Sequence, residues 1–270
     1  MSTYLDTILS RTRETVTAEK QHGSARVHEH FAARHTPRGW ARALREKSAS
    51  SIAVIAEIKK ASPSRGLIRA DFDPAALAKS YFAGGAATLS VLTDGPFFQG
   101  KLEDLKLASD AVPLPCLRKD FIIDEFQILQ ARTWGADAIL LIAAALTNHE
   151  MKWFAERAHE TELDVLVEVH TAEELDRVLD ALGESGADAI GVNNRDLKTL
   201  EVHMETSFEL IDRIPSSVVR VAESGISTPD DLARLRAAGF DAFLIGESLM
   251  RRPDPGAALA ELLAGVAVAR

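Results

Sequence analysis

A single cysteine, Cys116, excludes an intrachain disulfide. It stands inside an apolar run, where a buried small side chain is expected rather than a nucleophile, and a reducing cytoplasm fits. An excess of basic residues is also missing. The net charge is −9 and the pI about 5.4, which argues against nucleic acid as the main partner. An anionic small substrate stays possible, because a site can be locally positive. No apolar run reaches the length of a membrane span, and the N-terminus lacks a signal-peptide apolar core. A cytoplasmic protein that does not enter membranes is therefore expected. Metal ligands are scarce too. His28-x-His30 has no cysteine or acidic cluster beside it, so residues 21–36, with His22 and His35, read as a polar solvated linker and no metal is expected. Finally, no Gly-x-Gly-x-x-Gly follows the first apolar run, which disfavours an open doubly wound sheet.

What is present is a regular alternation. With 270 residues, 46% of them hydrophobic, the chain can bury one large α/β domain or two small ones. Residues 3–20 place Leu5, Ile8, Leu9, Thr12 and Val16 at helical spacing. Pro37 is expected to open a second short helix with Trp40, Ala43 and Leu44 on one face. From residue 52 the apolar runs predict strands at 52–58, 87–92, 114–118, 138–143, 164–169, 188–193, 218–223 and 241–246. Helices are expected at 74–84, 101–110, 124–134, 148–161, 172–182, 205–213, 229–238 and 255–267. Eight strands, each followed by a helix, make a (β/α)8 TIM barrel over residues 48–270, with an N-terminal helical extension over 1–47. A repeat supports it. Gly85-Ala86-Ala87, Gly135-Ala136-Asp137, Gly186-Ala187-Asp188 and Gly239-Phe240-Asp241 recur roughly every 50 residues, as alternate strands of a barrel should. Each glycine is expected to end a helix in a left-handed conformation.

The active site of such a barrel lies at the C-terminal ends of its strands. Those ends carry Glu57 and Lys59, Thr93-Asp94, Arg118-Lys119-Asp120, Glu168, Asn193-Asn194-Arg195, Glu223-Ser224-Gly225 and Gly246-Glu247-Ser248. Strand 4 ends only in small apolar residues. Glu57, Glu168 and Glu223 each share a face with an apolar position two residues earlier: Ile55, Leu166 and Val221. One such carboxylate reads as a structural ion pair. Three, with Lys59 and Lys119, read as a reaction chamber. A protonated lysine there can donate to a carbonyl oxygen while a carboxylate removes a proton. A Schiff-base lysine is the competing use.

Two further features shape the expected ligand. Ser224-Gly225 and Gly246-Glu247 stand at the turns after strands 7 and 8, the usual barrel phosphate location. Glu247 is expected to contribute backbone and turn its side chain away. Phe97, Phe98 and Phe121 lie in the loops after strands 2 and 3 and could form a slot for a ring. Together these features indicate a ring-bearing sugar phosphate.

Residues Ala56-Glu57-Ile58-Lys59-Lys60-Ala61-Ser62-Pro63-Ser64, Leu117-Arg118-Lys119-Asp120-Phe121, Val167-Glu168-Val169-His170, Asn193-x-Arg195-Asp196-Leu197, Glu223-Ser224-Gly225-Ile226 and Gly246-Glu247 carry a resemblance. The chain resembles the indole-3-glycerol phosphate synthases, barrel enzymes of tryptophan biosynthesis, essentially from end to end. The resemblance implies ring closure of 1-(2-carboxyphenylamino)-1-deoxyribulose 5-phosphate with loss of carbon dioxide and water, and no cofactor or metal. It implies Lys119 as the general acid for the ketone oxygen, and Lys59 with Glu57 in the later dehydration. Glu168 would act as acid/base or orient a lysine, and Asn193 and Glu223 would hold substrate and stabilise charge. Ser62, Phe98, Phe121, Arg195 and Ser224 would bind substrate, and Gly225, Gly246 and Glu247 would surround the phosphate. Asn194 and Glu247 stand where some members have serine. In the family the N-terminal helices cover the barrel mouth, which gives residues 1–47 a lid role. The chain ends soon after the eighth helix, so a monofunctional enzyme is expected, as a monomer or weak homodimer. Two rivals stay open: another phosphate-binding barrel, such as a sugar-phosphate isomerase or Schiff-base aldolase, and a barrel that binds a phosphorylated ligand without turnover.

Overall fold

The computed structural model describes residues 3–21, 34–184, 186–197 and 199–266. Eight parallel strands close into a barrel: β1 Ala53–Ile58, β2 Thr88–Leu92, β3 Cys116–Lys119, β4 Ala138–Ile142, β5 Asp164–Val169, β6 Ala189–Asn193, β7 Val219–Glu223 and β8 Ala242–Ile245. Every strand pairs with its sequence neighbours, and β1 closes on β8 through Ala53↔Ala242 to Ala56↔Ile245. Among the described residues two helices precede the barrel, α1 Tyr4–Gln21 and α2 Trp40–Ser48. The outer ring is α3 Pro74–Ala83, α4 Leu102–Ala111, α5 Glu125–Thr133, α6 Asn148–Glu160, α7 Ala172–Leu182, α8 Glu205–Leu210, α9 Pro229–Ala238 and α10 Pro255–Ala264.

Local chemistry explains where these helices begin. Asp73 and Asp254 cap α3 and α10, each with proline in the first turn. Thr147 and Thr228 form capping boxes with Glu150 and Asp231. The expected helix at 205–213 ends as a 3-10 turn, Ile211–Arg213. The glycine repeat is left-handed at Gly85, Gly135 and Gly239 but not at Gly186. There α7 is already ended by Gly183 at φ 64, and Gly186 instead lies tight against Leu182.

The strands bury both faces. Val54, Ala56 and Ile58 face the helices, in a layer shared with Val91, Leu141 and Val167. Ile55, Leu117, Leu140, Leu166, Val221 and Leu244 fill the barrel interior. The positions beneath the three carboxylates are therefore core.

Sequence reasoning put both N-terminal helices over the mouth; the contacts divide them. α1 lies at the mouth. Tyr4 stands edge-on to Phe97 at 5.9 Å, Ile8 lines the cavity, and Lys20 reaches Asp124 at 2.9 Å. α2 lies at the foot. Its Ala41 N–H donates to Asp164 at the start of β5, and its buried Trp40 and Leu44 join the interior cluster from below. Pro37 does not open α2, which begins at Trp40 after Gly39 in the left-handed region. The residues before it form an anchor. Arg38 meets Asp137 at 2.5 Å, and Asp137 also accepts from Cys116 N–H at 2.7 Å. His35, expected in a solvated linker, stands 3.2 Å from the same carboxylate. His22, His28 and His30 lie outside the described residues. Burial would raise the Asp137 carboxyl, but His35 and Arg38 outweigh it and hold it below the usual range. Burial pushes the Cys116 thiol up to about 12, which makes it a core side chain. Among the described residues no helix is long and apolar enough to cross a membrane. No group of three His, Cys, Asp or Glu among them could hold a metal.

Candidate active site

At the C-terminal end of the barrel a cavity of about 410 Å³ collects every residue to which the resemblance gave a catalytic, substrate-binding or phosphate-binding role, while Phe97 of the expected ring slot does not line it. Its floor is ionic. Lys59 Nζ lies 2.5 Å from Glu57 Oε1, as their two-residue spacing on one face predicts. Lys119 Nζ lies 2.6 Å from Glu168 Oε2 and 3.3 Å from Glu223 Oε2. All three carboxylates are buried.

Burial disfavours charge on Lys119, but Glu168, Glu223 and Glu57 outweigh it and hold the amine well above its ordinary range. The two flanking acids separate. Burial would raise Glu168, yet Lys119 and His170 outweigh it and hold Glu168 well below the carboxylate range. Burial raises Glu223; Lys119 opposes this, but the charges of Glu168 and Glu57 add to it. Of the two acids beside Lys119, Glu223 is the one whose surroundings favour the protonated form. Environments that push paired groups apart in this way assign acid and base roles.

Glycines make room for the acids. A Cβ at Gly191, which pairs with Glu168 on β5, would overlap Glu223 Oε1. A Cβ at Gly246 would overlap Glu57 Oε1. Gly246, expected at the phosphate turn, is thus also required by a carboxylate. Gly191 was missed from sequence, since only cross-strand register puts it under Glu223.

The far rim is basic. Ser224 and Gly225 both have positive φ, 67° and 84°, an uncommon conformation for serine and one that aims successive N–H groups into a concavity. A Cβ at Gly225 would also strike Val202 and Met204. Asn194 fixes this turn by donating to Ser224 O at 3.0 Å while accepting from Ser207. Glu247 does not turn away as expected. It stands 3.1 Å from Arg251 Nε, 3.3 Å from Arg65 Nε and 3.8 Å from Arg195 Nη2. Three guanidiniums offset its charge, and sequence had assigned only Arg195 among them. Asn193 accepts from Arg195 N–H at 3.0 Å, which shapes the turn after β6.

Between floor and rim stands the aromatic pair. The Phe98 and Phe121 rings lie 6.4 Å apart, tilted by 39°. Phe97 turns instead to Tyr4. Asp94 caps the turn that carries both phenylalanines, accepting from their N–H groups at 2.7 and 3.0 Å. Ser62 Oγ and Glu223 Oε1 are buried polar atoms of the cavity with no hydrogen-bond partner in the protein. A ligand with polar groups would satisfy them.

Comparison with known proteins agrees with this geometry. A family model described as indole-3-glycerol phosphate synthase matches residues 5–262. The chain is 53% identical over 263 residues to the indole-3-glycerol phosphate synthase of Koribacter versatilis (strain Ellin345), covering 97% of this chain and 100% of the relative. It is 50% identical over 267 residues to that of Laribacter hongkongensis (strain HLHK9), covering 98% and 100%. Solved structures at low identity share the fold alone. 3-Hexulose-6-phosphate synthase from Salmonella typhimurium superposes with TM-score 0.62 at 13% identity, over 80% of this chain and 100% of that one. Thiamine phosphate pyrophosphorylase from Pyrococcus furiosus gives 0.59 at 16%, over 82% and 97%.

Proposed function

The chain belongs to the indole-3-glycerol phosphate synthase family, and from that premise we propose how its residues share the work. The enzyme is a decarboxylating lyase that closes the indole ring of 1-(2-carboxyphenylamino)-1-deoxyribulose 5-phosphate. In this reading the phosphate lies toward Ser224, Gly225 and Gly246, with Arg195 and the other guanidiniums around it and Glu247 as their counter-charge. The carboxyphenyl ring lies against Phe98 and Phe121, and Ser62 hydrogen-bonds the substrate.

Closure forms a bond between the ring carbon bearing the carboxylate and the ketone carbon. The carbonyl electron pair moves to oxygen, and Lys119 delivers a proton there. Its raised pKa keeps it charged until a developing alkoxide, a stronger base, is within reach. Loss of carbon dioxide returns its bonding pair to the ring. The hydroxyl then leaves as water, with a proton from Lys59 or Glu223, and a carbon-bound proton passes to a carboxylate. Glu57 positions Lys59 through their 2.5 Å contact, Glu168 holds Lys119 charged, and Asn193 with Glu223 orients the sugar oxygens. The reading needs no cofactor. Residues 1–47 act as an extension whose α1 shields the mouth, and residues 48–270 act as the catalytic barrel. A cytoplasmic monomer or weak homodimer suffices, since one barrel holds the whole site.

The single observation that carries the proposal is Lys119 between two carboxylates of opposite tendency. A Schiff-base mechanism would need Lys119 neutral, and its partners oppose that. Incubation with the carboxyphenylamino-deoxyribulose phosphate is expected to yield indole fluorescence and carbon dioxide. Borohydride added during turnover is expected to leave no lysine adduct. A stable reduced adduct on Lys59 or Lys119 would overturn the assignment.

A further inference from the structure

We propose that His170 and Glu174 form a positioning relay that holds Glu168 ionised and oriented against Lys119. The inference rests on the acid/base reading above and adds to it two residues outside the cavity lining.

His170 follows β5, two residues beyond Glu168, and its side chain is only 8% exposed. Its Nε2 stands 3.3 Å from Glu168 Oε1, and its Nδ1 stands 3.2 Å from Glu174 Oε2. The same Glu174 oxygen accepts from the His170 backbone N–H at 2.7 Å. Glu174 is itself fixed at the start of α7, where its N–H donates to the capping Thr171 Oγ1 at 3.2 Å. One carboxylate therefore locks both the backbone and the ring of His170. The Nε2 contact with Glu168 has ion-pair distance without hydrogen-bond alignment, so it acts through charge.

Glu168 is thus faced by a cation on each oxygen: Lys119 on Oε2 and the imidazolium near Oε1. The charged groups facing the imidazole are Glu168 and Glu174, with Lys119 beyond. Burial opposes charge on His170, but these two acids outweigh it and hold the ring up to about 10. The relay decides between two acids that would otherwise share one proton beside Lys119. With the imidazolium in place Glu168 stays ionised and Glu223 takes the proton. Without it both would compete, and Lys119 would lose its fixed partner.

The test is the pH profile of kcat for wild type, His170→Asn, Glu174→Gln and the double variant on the same substrate. An opposite charge this close moves a carboxyl by roughly one to three units. His170→Asn is therefore expected to move the acid limb of kcat up by about one unit. On that limb kcat falls about tenfold, KM stays within about twofold, and the loss recovers as pH rises. Glu174→Gln is expected to move the limb the same way by less, and the double variant to add nothing beyond His170→Asn. Should His170→Asn fail to fold by circular dichroism, the direction of the Glu174→Gln shift decides. An active wild type whose variants keep the wild-type acid limb, or lose kcat equally at all pH, would overturn the relay. A wild type with no turnover would instead remove the reading beneath it.

Discussion

Lys119→Ala is expected to abolish ring closure while the barrel stays folded. The variant removes the proposed proton donor to the ketone oxygen, a role worth about 10²–10⁴ in rate. It also leaves Glu168 and Glu223 facing each other without the ammonium that lies 2.6 and 3.3 Å away. Removing one partner of a buried ion pair costs about 3–5 kcal/mol when the other stays charged. Here the acids have an escape, because each can bind a proton. With Lys119 gone, Glu168 loses the larger of the two cations that hold its carboxyl below the unfolded value, and with it the stability which that lowering supplies above the unfolded pKa. Thermal melts should therefore show a deficit that is large in mild alkali and shrinks toward the carboxylate range. Lys119→Arg separates the two effects. It restores the charge and the stability but gives up its proton too reluctantly to act as acid, so it should fold like wild type and remain about 10²-fold or more slower. Normal turnover in either variant would take Lys119 out of the mechanism.

Gly191→Ala is expected to cost nearly as much while replacing no ionisable group. The added methyl would overlap Glu223 Oε1, and Glu223 is 1% exposed and held on its other oxygen by Lys119 at 3.3 Å. Backbone at 191 is pinned by pairing to both β5 and β7, so the carboxylate must move. Overpacking of this kind costs about 1–3 kcal/mol in stability. Displacing a reacting group by an ångström costs about 10²-fold in rate. A drop in kcat of that size with a modest fall in melting temperature is the expected pair of results. Gly246→Ala should act in the same way through Glu57. Unchanged kcat in Gly191→Ala would show that the position of Glu223 is not critical.

The contrast between these two sites shows what a linear chain discloses. Glu57, Glu168 and Glu223 were legible because alternation along a strand fixes which residue follows Ile55, Leu166 or Val221 on the inner face. The barrel was legible for the same reason, and strand ends differed by only one or two residues. The requirement for Gly191 was not, since it depends on which residue of β7 lies alongside. The foot position of α2 was not legible either. An apolar helix face states that something covers it, not which end of the barrel does. Glu247 defeated the expectation of a side chain turned away because its partners Arg65, Arg195 and Arg251 come from three separate segments. His170 and Glu174 left a local signal, a histidine four residues before an acid at a helix start, which becomes meaningful only once Glu168 is known to face the ring.

The central claim is that Lys119 meets the ketone oxygen while the phosphate is gripped across the mouth. It is tested most directly by a crystal structure with a substrate analogue whose ketone is reduced to an alcohol. That oxygen is expected within about 2.6–3.2 Å of Lys119 Nζ, with the phosphate at Ser224 and Gly225 and the ring beside Phe121. A reversed ligand, its phosphate beside Phe98 and its hydroxyl out of reach of Lys119, would contradict it.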